Sequence, residues 1–451
     1  MERHTLVAYP RRFSLRSARR RDRDARAGLG ESDRAQEVFG VGPASRELGS
    51  GRPPGGKPAT AALFVGALAF SLVLAEFALR LGEADAWRVW PPNLERTLTP
   101  DPLLLPGVSG PSRFSTNAWG MRGDPWNESA RQHILAVGGS TTICVYLDDS
   151  EAWPHLVQDM LNEASAPDQV WVGNVGRPGH TTVQHLLQLE KLLQQHPEID
   201  TVLLMVGAND FLIQLGMRSA SVWAVAAAPN ASDRPPLPTN LHHPFSQFPA
   251  DNSGPWYRRS ALVRALLTRP WRGESLEGLP LLDDSGRFYE EGRERRRQAV
   301  KFLDTLLDMT GAHRQFVHNL DRIVDLTQAA GVRLILVTQP SLWDADLSPS
   351  ELDLLWAGGP PPHRPAPGAP FYSAAALAEG MAAYNRLLLQ LCDRRGIECI
   401  DAAEGLPKSS EIFFDGGHFT EEGSRRLAGL IAGALLEGAA PAQRDAGRRV
   451  P

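Results

Sequence analysis

The chain has 451 residues, room for one large domain or two ordinary ones plus tails and insertions, and its 42% hydrophobic and 22% charged residues are those of a globular protein. A formal net charge of −5 excludes an overall basic footprint for nucleic acid, and what basic excess exists is local, in residues 1–60. Three cysteines, Cys144, Cys392 and Cys399, exclude a disulfide scaffold and lack zinc-type spacing; a Cys392–Cys399 bridge is open to an oxidising compartment, but buried thiols are the expectation.

Residues 1–60 are rich in Arg, Gly and Pro without apolar periodicity and are expected to form a disordered basic tail. Residues 61–80 are apolar except for Ser71, Glu76 and the terminal Arg80, and about 20 such residues span a bilayer as a helix. Arg11, Arg12, Arg19, Arg20, Arg21, Arg52 and Lys57 precede the run, whereas Glu83 and Asp85 follow it. That asymmetry predicts a transmembrane signal anchor with everything after Arg80 outside the cytoplasm. Glu76 lies near the outer end, within reach of the interface. A buried core helix is the alternative, and no small-x-small cleavage site follows the run.

Residues 81–130 carry many prolines and turn residues and read as an irregular lead-in. Strands and helices then alternate. Residues 133–137 (HILAV), 169–172 (QVWV), 201–206 (TVLLMV), 332–338 (VRLILVT) and 397–400 (IECI) are short apolar runs of the kind that buried strands make. Helical spacing marks residues 151–163, with Ser150 as N-cap and Pro154 in the first turn, and residues 182–195, 314–330, 375–395 and 421–436. Such alternation predicts an α/β fold, a parallel sheet covered on both faces. The domain is expected over residues 131–438, with a disordered tail at 439–451. Insertions at 216–295 and 341–370 interrupt it, each long enough to be a functional cover or disordered.

Ligands of an open parallel sheet bind at the carboxyl ends of its strands. Ser140 in Gly138-Gly139-Ser140-Thr141 follows the first run, and Gly179 in a Gly-rich turn follows the second. Asn209 follows the third, and Asp415 and His418 lie after the fifth, before the last helix. A serine hydroxyl needs an imidazole to accept its proton, the imidazole needs a carboxylate to hold its tautomer, and a tetrahedral oxyanion needs preorganised donors. Ser140, His418 and Asp415 fit the first three roles. The N–H groups of Ser140 and Gly179 with the Asn209 amide fit the fourth. Each piece alone is commonplace: Ser140 could be a turn serine, Asn209 a cap, and Asp415/His418 a surface pair. His180 and Thr181 suit substrate contact or capping equally, and His242-His243 has no ligand spacing for a metal and reads as solvated loop.

In these blocks the sequence resembles the SGNH (GDSL-like) hydrolase superfamily, named for the Ser, Gly, Asn and His matched by Ser140, Gly179, Asn209 and His418. Trp153-Pro154 is also similar to members, and residues 114–122 (FSTNAWGMR) resemble a lead-in of anchored ones. One departure is that Gly139 and Thr141 flank the serine, where the better-known block is Gly-Asp-Ser-Leu. The resemblance covers residues 134–436 apart from the insertions. It implies a flavodoxin-like three-layer α/β/α sandwich with a five-stranded parallel sheet, no metal or other cofactor, and a covalent acyl-enzyme on Ser140. The expected function is a serine esterase acting on acyl (acetyl in the simplest case) esters of an envelope glycan or lipid. An acyltransferase of the same fold, moving the acyl group onto a sugar hydroxyl, and a non-catalytic binding module are the alternatives. Intact Ser140, Asn209, Asp415 and His418 argue against the last.

Overall fold

A computed structural model describes residues 56–81, 85–165, 169–216, 243–247, 249, 256–263, 283–359 and 370–439. The chain divides into two units, residues 1–66 and 67–451. The disordered tails expected at 1–60 and 439–451, apart from the helical ends, lie outside the described residues, as do large parts of both insertions.

The apolar run forms helix α1 (Gly56–Leu81), and its stretch Ala61–Leu81 is long and apolar enough to cross a membrane, with none of that window buried in the protein. Glu76, the one carboxylate in the run, accepts hydrogen bonds from Ser260 Oγ and the N–H groups of Ala261 and Leu262, and pairs with Arg80 at 2.7 Å. The lead-in is more regular than its composition suggests: β1 (Glu95–Leu98) and β2 (Ser112–Ser115) pair antiparallel, with Leu98 and Phe114 turned into the core.

The core sheet has five parallel strands: β3 (Gln132–Gly138), β4 (Val170–Asn174), β5 (Thr201–Met205), β6 (Arg333–Val337) and β7 (Glu398–Ile400). Their spatial order is β4-β3-β5-β6-β7. Between them run α2 (Trp153–Ala164), α3 (Thr182–Gln195), α4 (Ala208–Gly216), α5 (Arg287–Arg297), α6 (Thr310–Ala329) and α7 (Ala374–Arg395), and α8 (Glu421–Ala439) closes the domain. α2 packs on α8, whereas α3 packs on α6 and α6 on α7, so helices cover the sheet in two layers. Ile134 to Val137 and Val202 to Met205 are completely buried, as strands covered on both faces must be. The strand order reverses at β3, between β4 and β5, and a crevice at the carboxyl ends opens at such a switch point.

Local signals explain the helix ends. Thr181 and Gln184 form a capping box at α3, and Ser373 caps α7, which ends at Gly396 in the left-handed conformation. Ser150 does not cap α2; Asp148 instead accepts the Ser150 N–H at the start of a 3-10 turn, Asp149–Glu151, and α2 begins after Ala152. The cysteine expectation is also corrected: Cys392, at the end of α7, is joined to Cys399 on β7 across the Gly396 turn, while Cys144 is a buried thiol. His242 is outside the described residues, but His243 is half-buried against the Phe245 backbone rather than solvated.

Candidate active site

β3 ends at Gly138, and the chain turns at once into a one-turn helix, Ser140–Ile143, that sets Ser140 at the rim beside the switch point. The turn is crowded. A Cβ on Gly139 would stand 2.5 Å from Asn209 Nδ2, so a side chain there would displace the amide. Trp153 Nε1 donates to Thr141 O at 3.1 Å and Asn174 Nδ2 to Thr142 O at 2.8 Å, pinning the turn from α2 and from the end of β4.

Ser140 Oγ lies 2.7 Å from His418 Nε2, and His418 Nδ1 lies 2.7 Å from Asp415 Oδ2. Asp415 is fully buried, and its Oδ1 accepts the N–H groups of Gly417 and His418, each at 2.7 Å. Burial alone would push this carboxyl up, but the neighbouring His418 charge and these hydrogen bonds outweigh it and hold Asp415 below the usual carboxylate range. Phe414 stacks on the imidazole and Tyr289 meets it edge-on at 5.4 Å, which leaves His418 little freedom to turn.

Asn209, at the start of α4, donates one amide hydrogen to His180 O at 2.8 Å; among the described residues the other is not engaged. Gly179 has φ +75°, a conformation that L side chains rarely adopt, in a turn whose Pro178 lines the cavity over Ser140. Thus Ser140, Gly179 and Asn209 follow the neighbouring strands β3, β4 and β5, and the loop before α8 brings His418 against Ser140 and Asp415 against His418. His180 and Thr181 are buried, and Thr181 is a helix cap.

The cavity holds about 20 Å³. That is room for one or two waters. Ser140 and His418 form its polar side, and Cys144, Tyr146, Leu147 and Tyr289 its walls. Burial pushes the Cys144 thiol up to about 11, so it stays a neutral wall group.

The profile of the GDSL-like Lipase/Acylhydrolase family matches residues 136–426, well over half of the sequence. The chain belongs to that family. It is therefore a hydrolase of ester bonds. No curated protein matches it. Among solved structures, a carbohydrate acetylesterase family member from Sinorhizobium meliloti is 12% identical, with 67% of this chain and 97% of that one covered and a TM-score of 0.35. The lipase/acylhydrolase from Enterococcus faecalis is 16% identical, with 67% and 95% covered and a TM-score of 0.32. A GDSL-like lipase from Parabacteroides merdae is 12% identical, with 68% and 98% covered and a TM-score of 0.35. No substrate follows from overlaps of this size.

Several residues that shape the site of this acylhydrolase escape a reading of the sequence. Arg122, from the FSTNAWGMR lead-in, is buried; its Nη1 donates to Ile143 O and Cys144 O and its Nη2 to Leu147 O, while Nε pairs with Asp149. It thereby holds Cys144 at φ 53°, a strained backbone for a residue with a Cβ. Arg293 on α5 donates to the carbonyls of Leu104, Leu354 and Phe414, tying lead-in, second insertion and Asp415 loop together. Asp210, next to Asn209, accepts from the Thr182 N–H and hydroxyl, and burial pushes it up to about 7. The lead-in motif offered one signal, an arginine among apolar neighbours. Arg293 offered none beyond a basic stretch.

Proposed function

We propose that this acylhydrolase removes short acyl groups, acetyl in the simplest case, through a covalent ester on Ser140. The observation that carries the proposal is the unbroken contact from Ser140 Oγ through His418 to buried Asp415, opening on a small cavity walled by Cys144, Tyr146, Leu147 and Tyr289. Ser140 Oγ attacks the acyl carbon as His418 Nε2 takes its proton, and Asp415 holds the Nδ1 proton in place. The oxyanion accepts from the N–H groups of Ser140 and Gly179 and from the unengaged Asn209 amide hydrogen. As the intermediate collapses, His418 returns the proton to the leaving alcohol. Water, deprotonated by the same imidazole, then attacks the acyl-enzyme and restores Ser140.

Helix α1 supports attachment to a membrane, and the positive charge before it supports a domain facing out of the cytoplasm. That location favours an envelope glycan or lipid as the alcohol. A reporter fused after Leu436 that is active only in the cytoplasm would reverse this orientation.

The test of the chemistry is the full chain and Ser140→Ala, assayed with nitrophenyl acetate, acetylated polysaccharide and a fluorophosphonate label. Turnover and label should both vanish in Ser140→Ala. Persistence of both would overturn the assignment. Adding free sugar during turnover separates hydrolysis from acyl transfer, since an acyl-enzyme serves either, and only transfer yields an acetylated sugar.

A further inference from the structure

Asp415 accepts four hydrogen bonds, and three of them come from its own loop. The fourth does not: Trp356 Nε1, on the second insertion, donates to Asp415 Oδ2 at 2.8 Å, the oxygen that also receives His418 Nδ1. The indole has no slack. It meets Phe288 edge-on at 5.2 Å and Tyr289 at 5.6 Å, and a Cβ on Gly292 would come within 3.2 Å of the ring, so α5 holds it in place. Arg293, on the same helix, fixes the carbonyl of Leu354 two residues before it and of Phe414 one residue before Asp415. An insertion outside the repeating strand–helix pattern therefore supplies a donor to the buried carboxylate.

We propose that Trp356 is a positioning residue that shares Asp415 Oδ2 with His418 and so sets the pH at which Ser140 becomes reactive. The inference rests on the serine-hydrolase reading of the site. A carboxylate whose charge is partly spent on an indole N–H attracts the imidazole proton less strongly, so the coupled pair releases it at lower pH. The other groups facing the pair are few. From α5 come the Tyr289 hydroxyl, neutral because burial pushes it up, and Arg293, whose guanidinium is engaged by carbonyls. From the segment after the nucleophile come Ser140 and, behind Tyr289, Tyr146. Neither tyrosine changes charge where an imidazole titrates, which leaves the indole, among the described residues, as the adjustable partner.

The test uses the full chain as wild type, Trp356→Phe, and a Trp356→3-benzothienylalanine variant in which sulfur replaces the N–H in the same outline. The fluorophosphonate labelling rate and nitrophenyl acetate turnover are followed from about pH 4.5 to about pH 8.5, where the acid limb of a His-dependent profile falls. In both variants the acid limb should move to higher pH by about 0.5–1 unit, the scale of one lost hydrogen bond to a charge. The plateau rate should fall by roughly 3–10-fold, with KM within about twofold, because the loss is in proton transfer rather than binding. If either folded variant keeps the wild-type limb, Trp356 has no such role; the benzothienyl variant decides alone should Trp356→Phe not fold. Failure of wild type itself to label at any pH is a different result and would remove the hydrolase reading instead.

Discussion

Replacing Arg122 tests whether the lead-in builds the acyl cavity or merely covers the domain. The guanidinium is 1% exposed, and it serves four carbonyls, those of Ile143, Cys144 and Leu147 and, at 3.4 Å, Arg113, as well as Asp149. Arg122→Lys keeps the charge but replaces a planar fork of five N–H groups with one ammonium of three, so at least one of those acceptors is left unserved. Each hydrogen bond lost from a charged donor costs about 1.5–3 kcal/mol, a sizeable share of the total stability of a typical domain. Arg122→Met leaves Asp149 without its partner as well and should cost at least as much. Residues 144–147 line the cavity, so their release should also widen it and relax the preference for short acyl chains. The assay pairs urea unfolding, followed by tryptophan fluorescence, with initial rates on nitrophenyl acetate, butyrate and octanoate. A variant that unfolds at the wild-type urea concentration and keeps the wild-type acetate-to-butyrate ratio would refute the claim that Arg122 organises this wall.

Further expectations concern single side chains. Asn209→Ala should still be labelled at Ser140 but turn over roughly 10²–10³-fold more slowly, the usual loss for one oxyanion donor; equal turnover would remove Asn209 from that role. Tyr289→Ala takes away one cavity wall and should raise the butyrate-to-acetate rate ratio by about tenfold, as a pocket gaining methylene-sized space does; an unchanged ratio would place the acyl group elsewhere. Asp210 titrates near 7 when folded, against about 4 when unfolded, so between those values the unfolded chain binds fewer protons and wild-type stability falls as pH rises. Asp210→Asn should lose that fall and gain, relative to wild type, of order 2–4 kcal/mol above pH 7; urea curves at pH 5 and pH 8 that shift in parallel for both proteins would contradict it.

The sheet was legible because strands buried on both faces print unbroken apolar runs: HILAV and TVLLMV fall within a residue of β3 and β5. Helix α3 was bounded to the residue by Thr181 and His196, since a capping box is written locally. The glycines beside Ser140 mark locally where β3 gives way to a turn, whereas Asp415 and His418 lie in a glycine-bearing loop before α8. What was missed depends on partners distant in sequence. β1 and β2 are four residues each and lie among prolines, so neither shows a period long enough to read. Arg122 and Trp356 act by donating to carbonyls and a carboxylate of other segments, and no spacing along the chain encodes such a contact. The Ser150 cap failed because Asp148, two residues earlier, accepts both the N–H and the hydroxyl of Ser150, which engages the side chain that would have capped. The Cys392–Cys399 bond follows from a left-handed glycine that turns α7 back beside β7, a geometry that composition does not carry.

Ser140 and His418 are 278 residues apart. Ser140 is synthesised early, just after the first strand of the core, and His418, its proposed base, comes three residues before the last helix. Ser424, in the first turn of α8, donates to Glu151 O, so that helix and the His418 loop before it are held against the segment that follows Ser140. On the proposed mechanism, a ribosome-bound chain therefore carries an inert hydroxyl for almost the whole of its synthesis. Hydrolytic activity becomes a property of the finished fold alone, and loss of a short piece from residue 415 onward would silence the protein while leaving most of its sheet intact.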